Sequence, residues 1–337
     1  MKKIIYLALA IVLVLSVFAG CKTTPAQEPD PGTATTTEQP AAPADDNQPE
    51  ALKKIGLVVC HMTDEWAVGS YTMMQQDGVS MGYDITFADS EWELPKEAQS
   101  LDTFLPMGLD MLVIQPVDEA ATGAVIQPFL DTGIPVLSVG IKAENDGIIG
   151  FVGWDVYDSG YQLGLDCANY IENSLGGTAN VLMLSYPVEN TLQRQRGFEA
   201  ALEDSGVDVT YVADQNFEGS RETAVQIIEN TIQAGTDFDV VWAAFDAGAL
   251  GARAALEAVN HKAKIWSCGG YGEEIYNLFE SDDQWFVADY VVAPYIYVDS
   301  IWEAMGRYFN GESNVGDVYA PFPIATSKNY RQVWGEE

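Results

Sequence analysis

Short, unbroken apolar runs alternate with amphipathic stretches from Lys54 onward, and nothing else in the chain limits its possible folds so narrowly. KIGLVVC (54–60), YDITFAD (83–89), MLVIQP (111–116), PVLSVG (135–140) and the segment 150–155 read as five strands separated by helical stretches. The rhythm then starts again with NVLMLS (180–185), 208–213, DVVWAAF (239–245), AKIWSC (263–268) and QWFVADYV (284–291), and a helix over about 295–309 follows. Continuous apolar strands, rather than alternating ones, are what a parallel sheet covered on both faces requires. Strand–helix alternation implies right-handed crossovers. The chain is therefore predicted to be α/β, with two doubly wound Rossmann-like lobes. Ligands in such sheets bind beyond the carboxyl ends of the strands, so two facing lobes would enclose a cleft.

The first residues have a different character. Lys2 and Lys3 precede an apolar run from Ile4 to Phe18, interrupted only by Ser16, and Ala19-Gly20 stand before Cys21. A run of about 15 residues is too short for a spanning helix of roughly 20, but it fits an export signal. VFAGC resembles a bacterial lipoprotein box. The resemblance implies cleavage after residue 20, a diacylglyceryl thioether and an N-acyl chain such as palmitate on Cys21, and a location on the outer face of the cell membrane or the periplasmic side of an envelope membrane. Residues 22–52 contain no aromatic residue and are rich in Thr, Pro, Ala, Asp, Glu and Gln. Such a stretch buries too little apolar surface to offset its ordering entropy, and 21–52 is read as a lipidated tether.

Fifty Asp and Glu stand against sixteen Lys and Arg, a net charge of −34. That balance excludes nucleic acid as a partner and disfavours an anionic lipid surface. Cys60, Cys167 and Cys268 are too few to pair completely, sit in apolar segments and show no CxxC spacing, so they read as small buried hydrophobes. The chain has no GxGxxG, P-loop, GxSxG or HExxH pattern, and its two histidines, His61 and His261, lie far apart in sequence. No enzyme, cofactor or metal is expected.

The order and spacing of several segments resemble the type I periplasmic binding proteins, closest to the ribose and galactose binders of sugar ABC transporters. KKIGLVVCHMTDEW looks like that family's first strand and ligand loop. GLDMLVIQPVDEAA, GIPVLSVG, VGWDVYDSGYQLG, FDAGALGARAALEA and AKIWSCGG follow in the family's order. The resemblance implies a monomer of two lobes joined by three crossovers, lobe one at 53–154 plus 293–311 and lobe two at 155–292 plus 312–330. It also implies a sugar-like ligand held in the cleft and delivered to an ABC permease. A ligand-presenting sensor subunit would share the same fold.

The resemblance carries ligand roles to particular residues. Asp64 falls at an acidic ligand position, Trp66 and Phe217 at the stacking aromatics, and Arg194 at the pocket arginine. Phe245 and Tyr271 lie at strand ends facing the same cleft. Asp246 is expected to cap the helix that follows it. Gly140-Ile141, Phe245, Gly269-Gly270 and Val292 stand where the sugar binders carry polar groups. These departures allow a modified sugar, a nucleoside or a cationic small molecule besides a simple sugar, since aromatic faces beside a carboxylate hold a cation.

Overall fold

A computed structural model describes residues 51–336, and the expected signal and nearly all of the tether lie outside the described residues. The first half runs β1 (Lys53–Val59), α1 (Glu65–Asp77), β2 (Tyr83–Asp89), α2 (Leu94–Phe104), β3 (Met111–Ile114), α3 (Glu119–Val125), α4 (Gln127–Asp131), β4 (Val136–Val139) and β5 (Gly150–Gly153). The second half repeats the pattern with α5 (Val156–Leu175), β6 (Thr178–Ser185), α6 (Glu189–Asp204), β7 (Asp208–Asn216), α7 (Arg221–Gln233), β8 (Val240–Ala243), α8 (Asp246–Val259), β9 (Lys264–Gly270), α9 (Glu273–Glu280) and β10 (Phe286–Val291). It closes with α10 (Pro294–Phe309), β11 (Gly316–Tyr319), β12 (Ile324–Thr326) and α11 (Tyr330–Val333).

The ten expected strands form two sheets of the same order, β2-β1-β3-β4-β5 and β7-β6-β8-β9-β10, each parallel throughout. Interior strands β3, β4 and β8 are buried at every residue, whereas the edge strand β7 is mostly exposed. That contrast follows from helices covering both faces of a parallel sheet while its edges meet water.

Each sheet gains a sixth strand that the sequence pattern does not announce. β11 pairs in parallel with β5, and β12 pairs antiparallel with β10. The pairing of β11 corrects the expected lobe boundary. Residues 316–319 belong to the first sheet, so the chain returns to the second lobe only after Tyr319, not at 312. The three crossovers are the links β5 to α5, β10 to α10 and β11 to β12.

The helix expected over 118–131 is split at Ile126. Pro128 has no N–H to continue the hydrogen-bond ladder, so α4 begins afresh around it. Cys60, Cys167 and Cys268 are free and buried. Acidic and hydroxyl caps at Asp64, Asp118, Asp155 and Ser220 start α1, α3, α5 and α7.

Candidate ligand-binding cleft

The strand ends and helix starts of the two lobes line one cavity of about 620 Å³. From lobe one come Asp64, Glu65 and Trp66 at the head of α1. Asp64 Oδ1 accepts from the Ala67 N–H at 2.8 Å, which fixes the first turn and sets Trp66 over the crossover residues. The Trp66 ring lies 5.1 Å from Tyr297, 5.7 Å from Trp154 and 6.1 Å from Tyr71. Tyr71 is itself tied down by donating to Gln115 Oε1 at 2.7 Å. Trp154 and Val292, at two crossovers, complete this wall. It is an aromatic box whose only carboxylates, among the described residues, are Asp64 and Glu65.

Lobe two supplies a floor of opposite character. Arg194, in α6, is 8% exposed and lies under the ends of β8 and β9. Its Nη1 donates to the Ala244 carbonyl at 3.1 Å and to the Cys268 carbonyl at 2.5 Å. Ser267 Oγ donates to Asp246 Oδ1 at 2.7 Å. Asp289, on β10 opposite Ser267, is wholly buried near Asp246, and among the described residues neither of its oxygens has a hydrogen-bond partner. Desolvation raises the Asp246 carboxyl to about 6, against the opposing pull of Ser267, Asp289 and the Arg194 guanidinium. Burial, and then the neighbouring Asp246 charge, hold Asp289 well above the usual carboxylate range. Both shifts run the same way, because two carboxylates buried side by side disfavour a second negative charge, and the effect is stronger at Asp289.

This floor explains the glycine pair at the end of β9. A Cβ at Gly269 would stand 2.3 Å from Arg194 Nη1, and one at Gly270 would stand 1.7 Å from Asp246 Oδ2. Gly269 also has φ 97°, a region that side chains disfavour. The polar groups missing from residues 269 and 270 are thus replaced by Arg194 and Asp246, reaching over a backbone stripped of side chains. At Gly140 the neighbours again fill the space, Gln115 and Tyr297 lying 2.9 and 3.0 Å from a Cβ placed there.

Asp64, Trp66, Arg194, Phe245 and Tyr271 all line the cavity. Phe217 does not. It is fully buried, with its ring 4.8 Å from Phe245 and 6.2 Å from Tyr186, because its N–H is tied to the Ser185 carbonyl and Gly248 closes over it. Phe245 presents the aromatic face, and Phe217 backs it. Asp246 also differs from expectation. Phe245 occupies the cap position of α8, and the Asp246 side chain turns to Ser267. Sequence reasoning passed over Asp246, Glu65 and Thr191 as lining residues. For Asp246 a signal existed in the glycine pair, since glycine at a strand end marks a close approach.

Tyr271 stacks on Trp334 with centroids 5.5 Å apart and planes at 12°. Beside them a smaller hollow of about 270 Å³ shares Glu65 and Tyr271 with the main cavity. Among the described residues no cluster of His, Cys, Asp or Glu is arranged to hold a metal ion.

The periplasmic binding protein domain family matches residues 55–313, most of the chain. The chain belongs to the periplasmic binding protein family. Its two parallel-dominated sheets with alternating helices are the type I form of that family, whose relatives are binding proteins of sugar transport, not enzymes. The ribose import binding protein RbsB of Bacillus subtilis is 24% identical over 275 residues, covering 81% of this chain and 87% of the relative. An ABC transporter solute-binding protein from Bacillus halodurans, solved with bound myo-inositol, shares the fold with a TM-score of 0.69 at 20% identity, covering 85% of this chain and 99% of that one. A periplasmic ribose ABC transporter structure from Conexibacter woesei gives a TM-score of 0.73 at 18% identity, covering 85% and 96%.

Proposed function

We propose that this periplasmic binding protein captures a sugar or sugar-like solute between its lobes, outside the cytoplasmic membrane, and hands it to an ABC permease. The observation that carries this reading is the 620 Å³ cleft in which an aromatic wall faces a hydrogen-bonding floor. A sugar ring has apolar C–H faces and polar edges. Trp66 and Phe245 suit the faces, and Arg194, Asp246 and Asp64 suit the hydroxyls. The cleft volume falls within the range of small-ligand sites. Ribose and myo-inositol, named with the relatives, are polyhydroxylated rings of that size. Lobes joined by three crossovers close by hinge motion, and the closed form presents a surface that a permease can distinguish from the open one.

Cys21 serves as the lipidation site in this reading, and 21–52 is the tether that keeps the monomeric trap near its permease. Binding to the native state raises apparent stability. A thermal-shift panel of sugars, polyols and nucleosides should therefore contain a stabilising sugar or polyol. A panel in which only nucleosides stabilise the chain would contradict the reading. Metabolic labelling with a palmitate analogue should mark the protein in its bacterial host, and Cys21→Ser should abolish the label. Persistent labelling would remove Cys21 from the proposal.

A further inference from the structure

The charges around the cleft do not balance. Asp64, Glu65 and Asp246 line it, with Arg194 as the one guanidinium and no lysine. Arg194 is committed to the floor, where its Nη1 bridges two strand-end carbonyls and its charge faces the Asp246–Asp289 pair. Its Nε is buried and has no hydrogen-bond partner among the described residues. Asp64 and Glu65 are compensated only by the first turn of α1, where Asp64 Oδ1 accepts from the Ala67 N–H. Among the described residues no lysine or arginine lies within ion-pair distance of either, and only His61 Nδ1 approaches Asp64, at 3.6 Å.

These two carboxylates stand at the edge of the aromatic wall. Glu65 spans the mouth of the cleft, its Oε2 2.6 Å from where a Cβ on Gly272 of the other lobe would be. Tyr271 stands beside Gly272, held flat by Trp334, and Trp66 follows Glu65 on α1. A carboxylate between aromatic faces in a site that closes away from water favours a cation over a neutral hydroxyl. The ring quadrupole and the carboxylate act together there, and both strengthen as water leaves. A neutral ligand would instead enclose Glu65 without a counter-charge, at a desolvation cost.

We infer that the cleft selects a cationic member of the sugar-like class, a sugar or cyclic polyol bearing an ammonium group, with the ammonium held by Glu65 and Asp64 against Trp66 and Tyr271 and the hydroxyls on the Arg194–Asp246 floor. The inference rests on the sugar-like reading of the same cleft and narrows it.

Calorimetry on the purified chain with matched ligands tests it. The probes are D-glucose, D-glucosamine and N-acetyl-D-glucosamine, the corresponding galactose series, and myo-inositol beside an amino-deoxy-inositol. The expected result is at least about a tenfold preference for the free amine over both its neutral parent and its N-acetyl form in one series. The preference should shrink as salt is raised and collapse to under about threefold in Glu65→Gln with Asp64→Asn. Asn still caps a helix, so α1 is retained. Equal or tighter binding of the neutral parents overturns the inference and leaves the sugar-like reading standing. Binding by no member of any series overturns both.

Discussion

The two faces of the cleft are built by different means. The lobe-two floor is a buried polar network, with Arg194 under two strand ends, Asp246 over Gly270, and the Asp289 carboxyl, pushed up by burial, beside it. Arg194 and Asp246 there are held by strand-end carbonyls and Ser267 before any ligand arrives. The lobe-one face has an aromatic wall held by packing, and carboxylates at its rim with no arginine or lysine partner among the described residues. A preset floor costs little further ordering when a ligand binds, so it suits recognition of hydroxyl geometry. A wall with unpaired charge draws its gain from the ligand itself, so it suits selection among ligands that share a ring.

Removing the floor's one cation should show this difference most strongly. Arg194→Ala leaves two strand-end carbonyls and the Asp246–Asp289 pair without their buried partner. Urea denaturation should show a loss of about 3–5 kcal/mol, and ligand binding should vanish. A stable variant that still binds would mean the floor is not preset. Next in size is Asp289→Asn, which mimics the neutral acid. In the parent chain the folded state keeps protons that the unfolded state releases, because Asp246 is raised from 3.8 to about 6 and Asp289 is raised further. Stability must therefore fall as pH rises through that window and, through Asp289, beyond it. Asp289→Asn should match the parent near pH 4 and exceed it at pH 8. Parallel stability curves would contradict the raised Asp289 carboxyl.

On the other face, Trp66→Ala should weaken ligand binding by about 1–3 kcal/mol in calorimetry, the scale of one large aromatic contact. Unchanged affinity would remove the wall from recognition. The smallest change is expected from Phe217→Leu. This conservative core swap behind Phe245 should cost about 1 kcal/mol of stability and leave affinity within about threefold. A large affinity loss would return Phe217 to the ligand surface.

Much of this architecture is legible in the sequence, because burial on both faces of a sheet leaves unbroken runs such as MLVI in β3 and VVWA in β8. The final strands are not. β11 reads GDVY and β12 has three residues, too short and too polar to carry a period, and only their pairing with β5 and β10 reveals them. In the cleft, Trp66 and Arg194 are legible through the family resemblance, and both line the cavity. Asp246 is not, since an acid at a helix start reads as a cap, and its real partner Ser267 lies 21 residues away. Gly269 and Gly270 look like lost ligands until Arg194 and Asp246 are seen occupying their space. Phe217 shows the converse. A strand-end aromatic looks the same in sequence whether it faces the ligand or backs the residue that does.

The central claim is that one solute binds between the two faces and needs both. The most direct test is a calorimetric titration of the most stabilising sugar or polyol into the parent chain, into Trp66→Ala and into Asp246→Asn. The account predicts one site per chain in the parent and weakened binding in each variant. One-site binding of undiminished affinity in both variants would place the ligand elsewhere and contradict it.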